Sequence, residues 1–274
     1  MPLPIFRPTL EERKYISFSE AYVFSKCPHQ HWTKYREKRP SEATIHTEFG
    51  KAIGAAIEQY KKNNVKNAWI SIGKTIFRYL IDGEWGDYVK EEEKDWRIWT
   101  KIGFRIFKDT LEWMDKTYPG WELIDFEYEL FEPIEGSTKK FKGFIDLIFK
   151  YKGKIYIFDF KTCSWGWDRK KRENTHKLYQ IILYKYYYCK KNNIDPKDVE
   201  CAYLLLKRKP AKKETTSVEL FKQTSGLVKL NNSVKWLNEQ AEGIDRGVRI
   251  KKKDICEFCV CGAADDVKRF AKTK

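Results

Sequence analysis

The run FKGFIDLIFKYKGKIYIFDFKTCSWGW, Phe141 to Trp167, most limits what this chain can become. It is a hydrophobic hairpin with Asp146 inside one apolar segment and Asp159 and Lys161 inside the next. A charge in the middle of a buried strand costs roughly several kcal/mol unless it is paired or bound to a metal. Strand side chains alternate faces, so Asp159 and Lys161 share a face that Ile155 and Ile157 continue. Both charges fall at the C-terminal end of that strand, where open α/β sheets usually place their sites. A tight turn at Lys152-Gly153 would pair the two strands antiparallel and bring Asp146 near Asp159. Two close carboxylates cannot both ionise freely. A divalent cation resolves the conflict, and hard oxygen ligands favour Mg²⁺ or Mn²⁺. A lysine beside it can stabilise charge developing on a phosphate or orient an attacking water. A buried Asp–Lys ion pair would explain Asp159 and Lys161 but not Asp146.

Around this hairpin the periodicity predicts an α/β chain. Residues 17–35 read as a helix capped by Ser17 or Ser19, then a short aromatic segment. Residues 48–62 read as a helix with Phe49, Ile53, Ile57 and Tyr60 on one stripe, and 66–80 and 92–117 as further helices. The pattern then alternates through WELIDFEYELFEP and stops at Pro133, as a strand does. Strands at about 141–150 and 154–161 follow, then a helix over 172–191, the strand VECAYLLLKR and a helix over 226–242. Helices, three strands, helix and strand describe a meander followed by a helical crossover. With 274 residues the chain can build one large core. No run approaches 18 apolar residues, so no transmembrane helix is expected. MPLPIFRPTL lacks a charged segment followed by an apolar one, so no signal peptide is expected. The expected location is a reducing cytoplasm.

In order and spacing, GFIDLIF followed by IFDFKT resembles the acidic motif and the Asp-x-Lys motif of the PD-(D/E)XK nuclease superfamily. The resemblance is greatest to its RecB-type exonuclease branch, with its CRISPR-associated and AddB-like iron–sulfur members. LYQIILYKYYY resembles that branch's Gln-containing helix, with Gln180 and Tyr184 one turn apart; SFSEAYVFSKCPHQHWTKY resembles its N-terminal Ser…Cys-Pro segment, and CEFC its terminal Cys-x-x-Cys. The resemblance spans about residues 17–262. It implies a restriction-endonuclease-like core, a mixed sheet flanked by helices, with a helical N-terminal region and a C-terminal Cys cluster. The domain expected is a single one over 1–274, with a helical insertion at about 62–118. It implies that Asp146 and Asp159 bind Mg²⁺ or Mn²⁺ with the Phe160 carbonyl, that Lys161 is the catalytic lysine, and that Gln180 holds the site or the DNA. The reaction implied is phosphodiester hydrolysis by an exonuclease acting on DNA ends or single strands in recombination, repair or replication. A catalytically weak DNA-binding scaffold that keeps the fold is the alternative. A compact, Lys-rich nuclease suits a phage or an AT-rich prokaryote.

One departure from the family pattern concerns a histidine. The RecB-type helix carries a metal-binding His four residues after its Gly, and FGKAIGAAIE has Gly54 there. Gly50, Gly54 and Glu58 lie along one helix face. Helical side chains lean toward the N-terminus, so Glu58 would cover the bare surface at Gly54 and give the third acidic contact. Glu48, Glu127 and Glu129 are rivals.

Cys256, Cys259 and Cys261 lie within six residues, and three clustered thiols need a fourth ligand, for which Cys27 is the choice. The resemblance implies a [4Fe–4S] cluster on these four, with the tail at about 250–274 packing on the segment around Cys27. Cys261 comes earlier after Cys259 than in the family, which keeps Zn²⁺ as the alternative, with His29 and His31 as possible ligands. Cys163, Cys189 and Cys201 read as core.

Lys and Arg total 54 against 39 Asp and Glu, a net charge of +15 that favours a polyanionic partner. DRKKR, with Arg169, Lys170, Lys171 and Arg172, directly follows the Asp-x-Lys strand; KRKPAKK at 207–213 and RIKKK at 249–253 are further basic runs. Such loops suit DNA backbone contacts. Tyr184 also falls among the expected DNA-binding residues, and Trp165 or Trp167 could stack on a base. No GxxxxGK[ST] motif occurs in the sequence, so a helicase or recombinase partner would supply any motor.

Overall fold

The hairpin forms where the sequence places it, because Lys152 and Gly153 both take positive φ, 48° and 77°. That two-residue geometry matches the twist of the strands it joins, and Gly153 adopts it without a Cβ penalty. The computed structural model describes residues 13–37, 45–61 and 95–250. In chain order the elements are β1 (Tyr15–Ser17), α1 (Phe18–Lys26), α2 (Pro28–His31), a wide turn at Trp32–Arg36, and α3 (Ile45–Lys61). Then come α4 (Trp96–Thr117), β2 (Glu122–Pro133), β3 (Lys140–Tyr151), β4 (Lys154–Cys163), α5 (Arg169–Arg172) and α6 (Thr175–Asn192). β5 (Val199–Lys207), β6 (Val218–Gln223) and α7 (Leu227–Asp245) complete them. The expected helix at 66–80 lies outside the described residues.

The strands form a six-stranded mixed sheet in the order β1-β3-β4-β5-β6, with β2 also paired to β3. β4 and β5 run parallel, with α6 as the crossover, and the β3–β4 and β5–β6 pairs are antiparallel. β5 is buried along almost its whole length, which is why it reads as a continuous apolar run rather than an alternating one.

Three expectations need correction. Within 17–35 the expected capped helix is present, but the aromatic segment after it is itself helical. Ser17 caps α1 by accepting the Glu20 N–H, but Cys27-Pro28 ends that helix and starts α2. The helix over 172–191 is two pieces, because Asn174 caps a new start by accepting the Lys177 N–H. The short strands β1 and β6 were not expected.

The chain divides into two compact units. One comprises the chain up to Glu42, Phe131–Gly143 and the chain from Asn231. Within it, buried His31 and Glu20 pair at 3.0 Å, and Lys139 pairs with Asp245. The other comprises Ala43–Leu130 and Phe144–Leu230. Its core joins Phe49 and Ile53 of α3, Ile106 and Met114 of α4, and Phe149, Phe158 and Leu204 of the sheet.

Candidate active site

The β3–β4 ladder runs from Tyr151↔Lys154 to Leu147↔Phe158. One further step of the same register sets Asp146 opposite Asp159. The Phe160 N–H donates to Asp146 Oδ2, which turns the Asp146 carboxylate across the strand pair. Asp159 is 1% exposed. The Lys161 ammonium stands 2.7 Å from Asp159 Oδ2. That oxygen is buried. Burial pushes the Asp146 pKa well above the usual carboxylate range, and the Asp159 charge raises it further. Burial also raises Asp159, against the opposing pull of Lys161. For Lys161, burial works against the charge, but the Asp159 and Asp146 carboxylates outweigh it and hold the ammonium above its usual pKa. Lys161 is therefore charged at neutral pH and suited to donate rather than to act as a base.

These residues line a cleft of about 690 Å³ with Gly50 and Gly54 of α3, Glu127 of β2, and Gln180 and Tyr184 of α6. Gln180 Nε2 donates to the Tyr184 hydroxyl at 2.9 Å, fixing the pair one helical turn apart. Burial raises the Tyr184 pKa, and Asp159 adds to the effect, so its hydroxyl keeps its proton.

Glu127 is the functional candidate that the sequence alone ranked only as a rival. It sits mid-strand with φ at +50°, a conformation that non-glycine residues seldom adopt. That kink aims its carboxylate into the cleft. Glu127 Oε1 lies 3.7 Å from where a Cβ on Gly54 would stand, so it occupies the neighbourhood of the missing histidine. Its charge reaches Asp146 and raises that pKa. The backbone of Glu58 is in α3, and its side chain lies outside the described residues. Glu48 is tied to Lys51 at 2.6 Å.

Asp146, Asp159 and Glu127 all line the cleft, and their carboxylate oxygens are the donor type a hard divalent cation takes. Among the described residues no group of three or more His, Cys, Asp and Glu side chains is arranged to hold a metal ion. The Asp146 and Asp159 carboxylates are instead engaged by Phe160 and Lys161.

The other candidates separate. Trp165 is 72% exposed with Lys209 over its ring, whereas Trp167 is buried against Tyr203 and Phe221. Lys170 and Lys171 are exposed, and Arg169 pairs with Glu173 at the surface. Arg172 is tied to Glu219 and to the Trp167 carbonyl. Cys163, Cys189 and Cys201 are buried. Cys27 is fully buried at the start of α2, and its sulfur accepts the Gln30 N–H. His31 Nε2 faces Glu20, and His29 Nδ1 accepts from Arg249. Cys256, Cys259, Cys261 and residues 251–253 of the last basic run lie outside the described residues.

A family model described as the PD-(D/E)XK nuclease superfamily matches residues 15–263. No curated protein matches the sequence. A crystal structure from Eubacterium rectale, named as a candidate exonuclease, aligns over 90% of this chain and 87% of its own. It is 13% identical with a TM-score of 0.58, which shows a shared fold. A second structure, SSO0001, aligns over 94% of this chain and 88% of its own, with 12% identity and a TM-score of 0.41.

Proposed function

Because the chain belongs to the PD-(D/E)XK nuclease superfamily, and has its mixed sheet flanked by helices, we propose that the cleft hydrolyses DNA phosphodiester bonds with Mg²⁺ or Mn²⁺, acting as an exonuclease at DNA ends or on single strands. The observation that carries this reading is Asp146 set opposite the buried Asp159, with Lys161 beside the pair. Asp146, Asp159, Glu127 and the Phe160 carbonyl would hold the cation. Bound there, it supplies the Lewis acidity that activates water and neutralises phosphate charge. Lys161 donates to the phosphate oxygen that gains negative charge. Gln180 and Tyr184 buttress the carboxylate side of the cleft. Arg169, Lys170 and Lys171 supply backbone contacts, and Trp165 offers a face for a base. A helicase or recombinase partner, and a role in recombination, repair or replication, belong to the same proposal. The test is cleavage of linear against covalently closed circular DNA. An exonuclease degrades only the linear form; degradation of both forms overturns the exonuclease assignment.

Glu127 ranks ahead of Glu58 as the third acidic ligand, because its carboxylate lies over Gly54. Glu127→Gln should raise the Mg²⁺ needed for half-maximal cleavage by about 10- to 100-fold, the usual range for lost metal-site support. It should also weaken Mn²⁺ binding in calorimetry. Unchanged values for Glu127→Gln, with a loss for Glu58→Gln, would return the role to Glu58.

The proposal includes a [4Fe–4S] cluster on Cys27, Cys256, Cys259 and Cys261. The clustered thiols support it, and so do the existing partners of His29 and His31, which leave thiolates as the better ligands. Protein purified without oxygen should contain about four iron atoms per chain and lose them in Cys27→Ser. Zinc without iron would make it a zinc site, and neither metal would end the idea.

A further inference from the structure

Along β3, side chains alternate between two faces. Ile145 and Leu147 are buried on one face, and Phe144, Asp146 and Ile148 share the other. Burial falls along that second face. Ile148 is fully buried, Asp146 is partly buried, and Phe144 is 42% exposed. The phenyl ring therefore stands where the face opens to solvent, and it lines the same cleft as Asp146, Asp159 and Lys161. A single exposed apolar side chain is ordinary on a protein surface. Phe144 differs in its place, because it is an apolar ring set among carboxylates and an ammonium. Its backbone is also held. A backbone hydrogen bond joins Phe144 to the Tyr184 hydroxyl, which accepts from Gln180 Nε2 as well, at 2.9 Å. α6 thus fixes the part of β3 that carries the ring before any substrate arrives, which lowers the cost of binding.

Two residues along a strand span about 6.6 Å. That is the scale that separates a phosphate from the base of the nucleotide it joins. A phosphate held at Asp146, Asp159 and Lys161 would bring a neighbouring base beside the ring. In a duplex the base faces are covered by the stack above and below, so only an unpaired nucleotide can offer a face to Phe144. The cleft, about 690 Å³, has the size of a small-molecule site, with room for unpaired nucleotides and not for a duplex. A phenyl ring has no donor or acceptor with which to read a base edge, so the contact tolerates any sequence.

We propose that Phe144 is the stacking platform for the base next to the scissile phosphate, and that it makes the cleft select unpaired DNA strands over duplex. This rests on the nuclease reading of the cleft, but the contact is read by binding and is measurable whether or not the DNA is cut. The probe is a short single-stranded oligonucleotide in which one abasic position is walked inward from each end, with anisotropy followed in Ca²⁺. At one position the abasic strand should bind wild type at least about fivefold more weakly than the intact strand, the low end for base–aromatic stacking. In Phe144→Ala the intact strand should lose the same factor and the abasic strand nothing further, the non-additivity that marks a direct contact. Phe144→Trp should restore binding of the intact strand, and Phe144→Leu, apolar but without a flat face, should not. Blunt duplex should bind wild type and Phe144→Ala alike. If Phe144→Ala fails to fold, Phe144→Leu takes its place in the cycle. Additive losses at every position overturn the proposal, and so does a loss as large on duplex as on the single strand. Coupling without cleavage in Mg²⁺ supports the contact and overturns the nuclease reading, whereas cleavage without coupling overturns the contact alone.

Discussion

Asp159→Ala and Lys161→Ala should each lower single-turnover cleavage by at least about a thousandfold, the scale on which electrostatic groups at a reacting phosphate act. DNA affinity in either variant should fall by no more than a few-fold. The asymmetry follows from where the charges are. Asp159 is buried and stands beside the Lys161 ammonium, away from the exposed basic residues. Affinity for a polyanion comes from exposed bases such as Lys170 and Lys171, which neither substitution touches. Groups that act on the transition state alone change rate without changing ground-state binding. Rapid-quench cleavage, with anisotropy binding in Ca²⁺ alongside it, measures both quantities. Near-normal cleavage in both variants would remove these residues from the chemistry.

Asp146→Asn should abolish cleavage and, in EDTA, raise the melting temperature. The folded pKa of Asp146 lies well above its unfolded value, chiefly because the carboxylate is buried and then because Asp159 is near. A carboxylate with a raised folded pKa favours the fold below its unfolded pKa. That contribution is lost as pH climbs toward the folded value, so at neutral pH the ionised group is a liability. Asparagine keeps the size and an acceptor for the Phe160 N–H but cannot ionise. The melting-temperature gain should therefore grow from pH 5 to pH 8, and saturating Mg²⁺ should narrow it by stabilising wild type alone. Differential scanning fluorimetry over that range reads the effect. A melting temperature that falls at every pH would contradict the assigned strain. Active sites often keep such destabilising groups because function needs them.

The Asp146–Asp159 pair was legible because it depends on local rules. Strand alternation put Asp159 and Lys161 on one face, and the turn at Lys152-Gly153 fixed the register that sets Asp146 opposite. The helix α6 was legible from its pattern, though its start was not, since the Asn174 cap sits inside what looked like continuous helix. Glu127 was hidden because its role depends on a positive φ in mid-strand and on a bare glycine about seventy residues earlier in the chain. The strand β6 was hidden behind the polar run that precedes it and is short, as edge strands are. Arg172 read as one of four basic residues expected to contact DNA, yet it shares Glu219 with the buried Lys207 of β5. No periodicity in the sequence marks such a pairing.

The alternative reading, a DNA-binding scaffold that keeps the fold without the chemistry, makes the opposite prediction for one experiment. Wild-type protein is mixed with end-labelled DNA in EDTA, and Mg²⁺ is then titrated in while product is followed on a denaturing gel. The expected result is no cleavage in EDTA, saturable cleavage as Mg²⁺ rises, and none at any Mg²⁺ concentration in Asp159→Ala from the same preparation. DNA that is bound but stays intact at every concentration of Mg²⁺ and of Mn²⁺ would contradict it.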